Sequence, residues 1–244
     1  MILNTDILVA VGTVPGREHA RLSRNNQDGL AVRVRGDRLV AVVTDGCSSG
    51  AFSEVGARLG AAWLADAALT EDSPVAVFDA ALSRLDALAP AASSARAAFV
   101  ADYLLFTALV AVVTPERVRI YGVGDGVYAA ANGDDCAITA LDAGPDNAPP
   151  YLAYRLLESA RLERFSGELS PTVHLDGPAD FDGLLIGSDG VGDLPSGDGS
   201  VRELLVAPAL ARNTSLLQKR LNVLGPRRGQ LPDDTTAVLL RRRS

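Results

Sequence analysis

Cysteine and histidine are scarce in this chain, which contains two of each among 244 residues. Cys47 and Cys136 are too few and too far apart for a disulfide framework, and a structural zinc site needs four suitably spaced ligands. His19 and His174 are likewise too few for a histidine-based metal site. The scarcity of cysteine favours a reducing compartment, and the expected location is cytoplasmic.

Long apolar runs are also lacking. The longest, from Tyr103 to Val113, is about half the length of a bilayer-spanning helix, and Thr107 interrupts it. The first residues lack a basic region and carry Asp6 among their apolar side chains, which argues against a signal peptide. We therefore expect no membrane segment and no membrane partner.

Positive charge is in deficit, since the formal net charge is −7 at pH 7. Proteins that bind the phosphate backbone of nucleic acids usually present a basic face, so no nucleic-acid partner is expected. An acidic excess also arises where carboxylates gather around metal ions.

The remaining composition is that of an ordinary globular protein, with 48% hydrophobic and 22% charged residues. Aromatic residues make up only 5%, so alanine, valine and leucine must form most of the core. A chain of this length buries about 70 to 75% of its unfolded surface. No break in composition divides it, which predicts a single domain over residues 1–244.

One apolar stretch, LVAVVTDGCSSG from Leu39 to Gly50, has the properties of a strand that leads into a binding site. Its continuous β-branched run is typical of a strand covered on both faces, and Asp45 and Gly46 end it. A carboxylate there is held rigidly, and the glycine lets a backbone carbonyl approach the same point. This geometry suits a hard cation, although an isolated Asp-Gly pair is more often an ordinary turn.

The periodicity of apolar residues predicts both strands and helices. Strands are expected at 7–11, 30–34, 39–44, 103–113, 117–121, 127–131, 172–175, 182–187 and 235–240. Helices are expected at 53–69, 74–88, 93–101, 151–159, 201–211 and 214–223, and the segment 12–26 is expected to be a polar loop. The three strands between 103 and 131 follow one another closely, which predicts an antiparallel meander with Gly124-Asp125-Gly126 at a junction.

Aspartates stand at the edges of five predicted strands: Asp28, Asp45, Asp125, Asp189, and Asp233 with Asp234. Strand ends in a layered β protein converge on one rim, so these carboxylates should lie close together. Their mutual repulsion would be severe unless cations neutralised it. Oxygen ligands without cysteine or abundant histidine favour Mg²⁺ or Mn²⁺.

The same five sites fall in the ordered motifs NNQD, VVTDG, GVGDG, LIGSDG and PDDTT, which span nearly the whole chain. Each motif is weak alone, but in this order they resemble the metal-dependent phosphatases of the protein phosphatase 2C family. A histidine before the first motif and the segment GCSSGAFSEVGA after the second are similar to a bacterial branch of that family. The resemblance implies an α+β fold: a four-layer αββα sandwich of two antiparallel sheets flanked by helices, with a two-metal cleft at one end.

The resemblance also implies a role for each aspartate. Asp45 would bridge two ions of Mn²⁺ or Mg²⁺, and the carbonyl of Gly46 would bind the second ion. Asp189 and Asp233 would hold the first ion, and Asp28 would act through a water molecule on the metals. Asp125, together with Asp189, matches the residues that hold a third, weaker ion in bacterial relatives.

The implied activity is hydrolysis of phosphoserine and phosphothreonine in proteins by a water that bridges the two ions, which makes a phosphorylated protein the expected partner. An alternative is a regulatory or binding module that keeps the fold but is catalytically weak or inactive. A third hypothesis is a small-molecule phosphatase. The sequence leaves the oligomeric state open.

The chain departs from the family pattern at the residues that would handle phosphate. Many relatives have an arginine five residues before the first motif's aspartate, where this chain has Ser23, with Arg24 one residue later. Arg24 and His19 are therefore candidate phosphate-binding residues, although their loop also fits a simple solvated surface. Cys47 occupies the position where some relatives have a histidine proposed as general acid. His19 is one candidate for that role, and metal-bound water is another.

The connection from Leu141 to Leu169 is the longest one rich in proline and glycine between strands that meet the predicted cleft. Long loops of this kind carry specificity more often than the elements they join. We therefore expect this segment to lie near the aspartates and to determine substrate preference.

Overall fold

Ten strands form two five-stranded antiparallel sheets in the computed structural model, which describes residues 7–144, 149–157, 169–196 and 200–243. The first sheet has the order β1 (Ile7–Val14), β10 (Thr235–Arg242), β9 (Gly183–Gly187), β6 (Gly126–Asn132) and β7 (Asp135–Leu141). The second sheet has the order β2 (Gly29–Arg35), β3 (Arg38–Gly46), β4 (Phe106–Val113), β5 (Arg117–Val123) and β8 (Thr172–Pro178).

The two sheets pack face to face because alternate residues of their central strands are apolar on the same side. The central core cluster unites residues of β3 and β4 with residues of β9 and β10. Its most buried members include Ala41, Val43, Leu109, Ala111, Leu184, Ile186, Val238 and Leu240. The opposite faces of the same strands are also apolar, and helices cover them.

Six α-helices are present among the described residues: α1 (Arg17–Arg21), α2 (Ser53–Ala68), α3 (Pro74–Leu88), α4 (Ser93–Phe99), α5 (Val201–Val206) and α6 (Ser215–Asn222). Helices α2 and α3 cover the second sheet, and α5 and α6 cover the first. Short 3₁₀ turns at Leu152–Leu156 and Asp189–Asp193 and π-helical turns at Val100–Leu104 and Val223–Arg227 complete the secondary structure. The layers are helix, sheet, sheet, helix, which confirms the expected αββα sandwich.

The helices that flank the second sheet form where the sequence predicts them. In α2, small and apolar residues at Ala57, Ala61 and Leu64 are fully buried on one face. Gly60 lets this helix lie close to the sheet, since an added Cβ would sit 2.2 Å from the ring of Phe106. The start of α3 is capped as expected, with the Ser73 hydroxyl accepting a hydrogen bond from a backbone N–H in the first turn.

The predicted antiparallel meander between 103 and 131 is wrong. β4 and β5 pair in the second sheet, but β6 belongs to the first sheet, where it pairs with β7 and β9. The chain crosses between sheets at Asp125, which stands between Gly124 with φ +89° and Gly126 with φ +135°. Gly124 and Gly126 adopt positive φ angles, which glycine tolerates best, and they redirect the chain on either side of Asp125. The spacing of the strands in the sequence does not reveal this change of direction.

Smaller differences concern segments whose stability depends on packing. Strand β7 is present although no strand was expected there, and α1 forms inside the expected polar loop 12–26. Helix α5 ends at Val206 rather than at 211, because Pro208 disfavours helix for the residue before it. Parts of the expected 151–159 helix and of the 141–169 connection lie outside the described residues. No helix in the described ranges is long and apolar enough to cross a membrane.

Candidate metal centre

A polar cavity of about 70 Å³ opens at one end of the sandwich, where strands of both sheets end. Its wall includes every metal ligand expected from the sequence, with His19 and Asp234 beside them. The histidine and aspartate residues among its lining are His19, Asp45, Asp125, Asp189, Asp233 and Asp234. The strand ends therefore bring together carboxylates that are up to 189 positions apart in the chain, since Asp45 and Asp234 both reach the cavity.

Strand register explains why Asp28 and Asp45 meet. Gly29 of β2 pairs with Thr44 of β3 in an antiparallel arrangement. Asp28, which precedes Gly29, and Asp45, which follows Thr44, therefore lie at the same end of this strand pair. Asp45 lines the cavity, whereas Asp28 lies behind the wall and is only 4% exposed. The hydroxyl of Ser188 donates a 2.9 Å hydrogen bond to Asp28 Oδ2, while Asp28 Oδ1 is buried without a hydrogen-bond partner.

Asp189 and Asp233 arrive from the central strands of the first sheet. Gly187 of β9 pairs with Ala237 of β10, which places the residues after β9 beside those before β10. Gly190 is needed for this approach, because an added Cβ would lie 2.1 Å from the carbonyl oxygen of Asp234. Asp189 Oδ1 is buried and has no hydrogen-bond partner among the described residues.

The glycine beside Asp45 also allows neighbouring segments of the chain to approach each other closely. A Cβ added to Gly46 would sit 2.6 Å from the carbonyl oxygen of Gln27 and 2.8 Å from the hydroxyl of Ser53. The backbone at Gly46 can therefore pass next to the segment that carries Asp28. Gly46 itself lines the cavity, and the role of its carbonyl as a metal ligand stays a prediction.

The carboxylates of the cavity strongly perturb one another. Burial is the largest cause that raises the pKa of Asp45, followed by the negative charges of Asp28 and Asp189. Burial likewise raises the pKa of Asp28 to about 8, with the Asp234 charge adding to the effect against hydrogen bonds that oppose it. For Asp125, burial and the charge of Asp189 raise the pKa to about 6.

The residues present fit a divalent cation that prefers oxygen ligands. The pKa of Asp233 is also raised, chiefly by burial, so four carboxyl groups are disfavoured in their charged form at the same place. Within the described ranges, two buried carboxylate oxygens, Asp28 Oδ1 and Asp189 Oδ1, lack a hydrogen-bond partner. A positive ion relieves both penalties, because it offsets the repulsion and coordinates the unpartnered oxygens.

Asp234 has a role that the sequence did not separate from that of Asp233. Its Oδ1 accepts a hydrogen bond from Gly16 N at 2.7 Å, and its Oδ2 accepts one from Gln27 N at 2.6 Å. The ring Nδ1 of His19 lies 2.8 Å from the same Oδ2. Asp234 is 2% exposed, so this carboxylate is committed to holding the neighbouring loop. The adjacent acidic pair Asp233-Asp234 was the only sequence signal for it.

His19, Asp233 and Asp234 are close enough to form a further cluster of candidate ligands. Among the described residues, one ligand atom from each of the three lies within 4.8 Å of the others. Asp234 already makes three hydrogen-bond contacts, so His19 and Asp233 are the members of the cluster with ligand atoms that remain available for a metal ion. His19 is 8% exposed and lies on the short helix α1, which the sequence did not predict.

The structure places the two candidate phosphate-binding residues differently. His19 lines the cavity, whereas Arg24 is not part of its wall. The Arg24 guanidinium donates to the carbonyl oxygens of Ser48 at 3.2 Å and Gly50 at 2.8 Å. Arg24 therefore braces the turn that follows Asp45 and Gly46.

Part of the cavity wall comes from the long connection after β7. Pro149 and Tyr151 line the cavity together with Cys47. The expected proximity of this connection to the aspartates is confirmed for these residues, while 145–148 and 158–168 lie outside the described part. Its effect on substrate preference stays a prediction.

Comparison with known proteins connects this geometry to a family. Residues 15–224 match the profile of the family described as Protein phosphatase 2C. No curated protein sequence matches the chain. Similarity to solved structures covers nearly all of it at low sequence identity, which bears on the fold alone.

Three of these structures illustrate the range. The serine/threonine phosphatase Stp1 from Staphylococcus aureus is 17% identical with a TM-score of 0.67, covering 99% of this chain and 97% of that one. The serine-threonine phosphatase 2C from Toxoplasma gondii is 17% identical with a TM-score of 0.61, covering 98% and 95%. A structure described as the bacterial stressosome, a modular system adapted to control secondary messenger signaling, is 15% identical with a TM-score of 0.59, covering 96% and 99%.

Proposed function

The chain belongs to the protein phosphatase 2C family, and from this premise we propose that it is a metal-dependent phosphatase acting on phosphoserine and phosphothreonine in proteins. The observation that carries the proposal is the convergence of Asp45, Asp125, Asp189 and Asp233 on one small polar cavity. Cytoplasm is the proposed location, in keeping with the scarcity of cysteine.

The proposed cofactors are two ions of Mn²⁺ or Mg²⁺. Asp45, the carbonyl of Gly46, Asp189 and Asp233 would hold them, and Asp125 with Asp189 would offer a weaker third position. When bound, such ions lower the pKa of a water molecule and neutralise charge on the phosphoryl oxygens. No serine or cysteine nucleophile is needed for this chemistry.

Asp28 is proposed to orient the attacking water. It is buried directly behind the cavity wall, and Ser188 holds one of its oxygens in place. Its other oxygen has no partner and is free to accept a hydrogen bond. A rigid acceptor next to the reacting centre reduces the entropy that the reaction must lose.

His19 is proposed to contact the phosphate or the leaving oxygen of the substrate. Asp234 engages the Nδ1 side of its ring, which leaves Nε2 as the nitrogen available on the cavity side. An imidazole whose orientation is set by a buried carboxylate can donate a hydrogen bond in a defined direction. This arrangement is a candidate substitute for the histidine that some relatives have where this chain has Cys47.

The proposal is tested by phosphate release from a phosphothreonine peptide in Mn²⁺, Mg²⁺ or EDTA, using the full chain and its Asp45→Asn variant. We expect metal-dependent release that falls by roughly a hundredfold or more in the variant, because a bridging ligand is lost. Asp37→Asn is the matched control, since Asp37 is exposed in the β2–β3 turn and should leave the rate unchanged.

The alternative, a catalytically weak regulatory or binding module, is favoured by one observation: Arg24, which stands one residue from the position of the family's arginine, braces a turn instead of lining the cavity. Calorimetric metal binding without phosphate release, in both Mn²⁺ and Mg²⁺, would support it. Parallel assays with phenyl phosphate and the phosphopeptide distinguish a small-molecule phosphatase from a protein phosphatase.

A further inference from the structure

A second cavity, of about 270 Å³, lies at the other end of the first sheet and is unrelated to the metal centre. We call it the arginine trough, and its lining includes Ala131, Gly133, Asp182, Val206, Arg241 and Arg243. Strand β10 starts beside Asp234 and ends at Arg242, and its eight residues span roughly 25 Å at about 3.3 Å per residue. The two cavities therefore lie at opposite ends of one strand.

The trough forms where a large residue of β10 lies beside small residues of β9 and β6. Arg241 of β10 pairs with Gly183 of β9, which in turn pairs with Ala131 of β6. The side chain of Arg241 passes over the glycine, since a Cβ added to Gly183 would lie 3.3 Å from Arg241 Cδ. Helix α5 packs close to this glycine, because the same Cβ would lie 2.9 Å from the carbonyl oxygen of Leu205. The cavity lies beside this contact, with Ala131 of the sheet and Val206 of α5 in its wall.

Two guanidinium groups face this groove without an established partner. Arg241 Nε is buried and has no hydrogen-bond partner among the described residues, so the terminal nitrogens are the part of its guanidinium that can face the trough. The described residues include no salt bridge within 4 Å from a carboxylate to Arg241 or Arg243, although the charge of Asp182 acts on Arg241 at longer range. Arg242, between them, is different, because its guanidinium donates to the carbonyls of Phe181 and Ala179.

The lining of the trough holds three arginines, including Arg242, and one carboxylate, Asp182. The nearest acid is Asp182, whose Oδ2 accepts a hydrogen bond from Gly133 N at 2.8 Å. Burial lowers the pKa of Arg241, and the Asp182 charge only partly opposes that effect. An anion in the trough would offset the burial penalty on the charged form of Arg241 and would supply acceptors for its terminal nitrogens.

We propose that the arginine trough binds a small organic phosphate. The forked guanidinium matches the oxygens of a phosphate group, and two of them can share its double negative charge. The volume exceeds what a phosphate group alone requires, and Ala131 and Val206 provide apolar wall for an organic substituent. The phosphate would sit against Arg241 and Arg243, and the substituent would lie along α5.

The probe is phenylphosphonate, because its carbon–phosphorus bond is not a phosphate ester and will not be hydrolysed by a phosphatase. Backbone amide NMR shifts of the full chain with Mg²⁺ report where the probe binds. We expect saturable shifts at Gly133 and Gly183, separate from any shifts at Gly46 and Asp189. Phenylsulfonate, a monoanion of similar shape, should bind at least tenfold more weakly.

Variants localise the effect. Arg241→Gln with Arg243→Gln should weaken binding at Gly133 by at least tenfold, and Arg243→Gln alone, at an exposed position, should weaken it severalfold without disturbing the fold. Arg35→Gln, an exposed arginine of the other sheet, should have no effect. Asp45→Asn should leave the Gly133 response intact.

Three results would overturn the proposal. The first is a response confined to the metal centre, and the second is an unchanged affinity at Gly133 in the double arginine variant. The third is equal binding of phenylsulfonate, which would indicate general attraction of anions rather than recognition of a phosphate group.

Discussion

The imidazole of His19 and the carboxylate of Asp234 are in contact, with Nδ1 and Oδ2 2.8 Å apart, although 215 positions separate the two residues. Asp234 also accepts hydrogen bonds from the backbone of Gly16 and Gln27. One buried carboxylate from the start of the last strand therefore organises the whole loop that leads to Asp28. It holds the first motif, NNQD, next to the last motif, PDDTT.

This contact predicts that His19 and Asp234 act as one unit. His19→Gln and Asp234→Asn should each lower kcat/KM by about tenfold, because one removes the imidazole and the other its orienting acceptor. The double variant should lose little more than the larger single effect. The measurement is phosphopeptide hydrolysis with Mn²⁺ over a full double-mutant cycle. Effects that multiply would show that the two residues act independently.

The raised carboxyl pKa values predict an unusual pH dependence of stability in EDTA. Asp28 has a folded-state pKa of about 8 against 3.8 for the free side chain, so in this range the folded protein retains a proton that the unfolded chain has lost. Stability should therefore fall as pH rises, by up to about 1.4 kcal/mol per pH unit for each such proton. Urea unfolding between pH 6.5 and 8 measures this slope.

The chosen window avoids a contribution of opposite sign. Burial lowers the pKa of His174, so the unfolded chain binds more protons there, and stability rises with pH only up to about 6.5. Asp28→Asn should flatten the slope above that value. Mg²⁺ should also abolish it, because metal-bound carboxylates are ionised in the folded protein. A slope unaffected by both changes would contradict the assignment to this cluster.

Close packing at Gly46 predicts that a single methyl group is harmful there. In Gly46→Ala the new Cβ meets the Gln27 carbonyl at 2.6 Å, so we expect a loss of about 2 kcal/mol in unfolding free energy together with weaker metal binding. Gly177→Ala is the control, since nothing lies within 4 Å of its added Cβ. Denaturant unfolding and metal titration of both variants provide the comparison. Equal stabilities would mean that the loops relax freely.

The role of Arg24 in phosphate binding stays a prediction, and the donors that its two hydrogen bonds leave over make it testable. A guanidinium has five N–H donors, and the carbonyls of Ser48 and Gly50 use only two of them. Arg24→Gln should raise the inhibition constant of inorganic phosphate by about tenfold, with Arg24→Lys recovering part of the loss through its charge. If stability alone decreases, Arg24 serves only to brace the turn.

Much of the fold was predictable from local patterns. The start of α3 follows from Ser73 and Pro74, and β3 follows from its unbroken apolar run, because caps and strand periods depend on neighbours in sequence. The path at Gly124 to Gly126 was not predictable from spacing. Whether β6 joins β5 or crosses to the other sheet depends on the positive φ angles and on the partner strand β9.

The sequence by itself determined which chemical groups are available: aspartates at strand ends, few sulfur or imidazole ligands, and an acidic chain. Only the tertiary structure decided how they are used. It placed Asp28 behind the wall, engaged Asp234 with His19, turned Arg24 toward carbonyls and opened the arginine trough at the far end of β10. The physical reason is that hydrogen-bond partners and burial come from residues distant in sequence, whereas motifs record only what lies next to each residue.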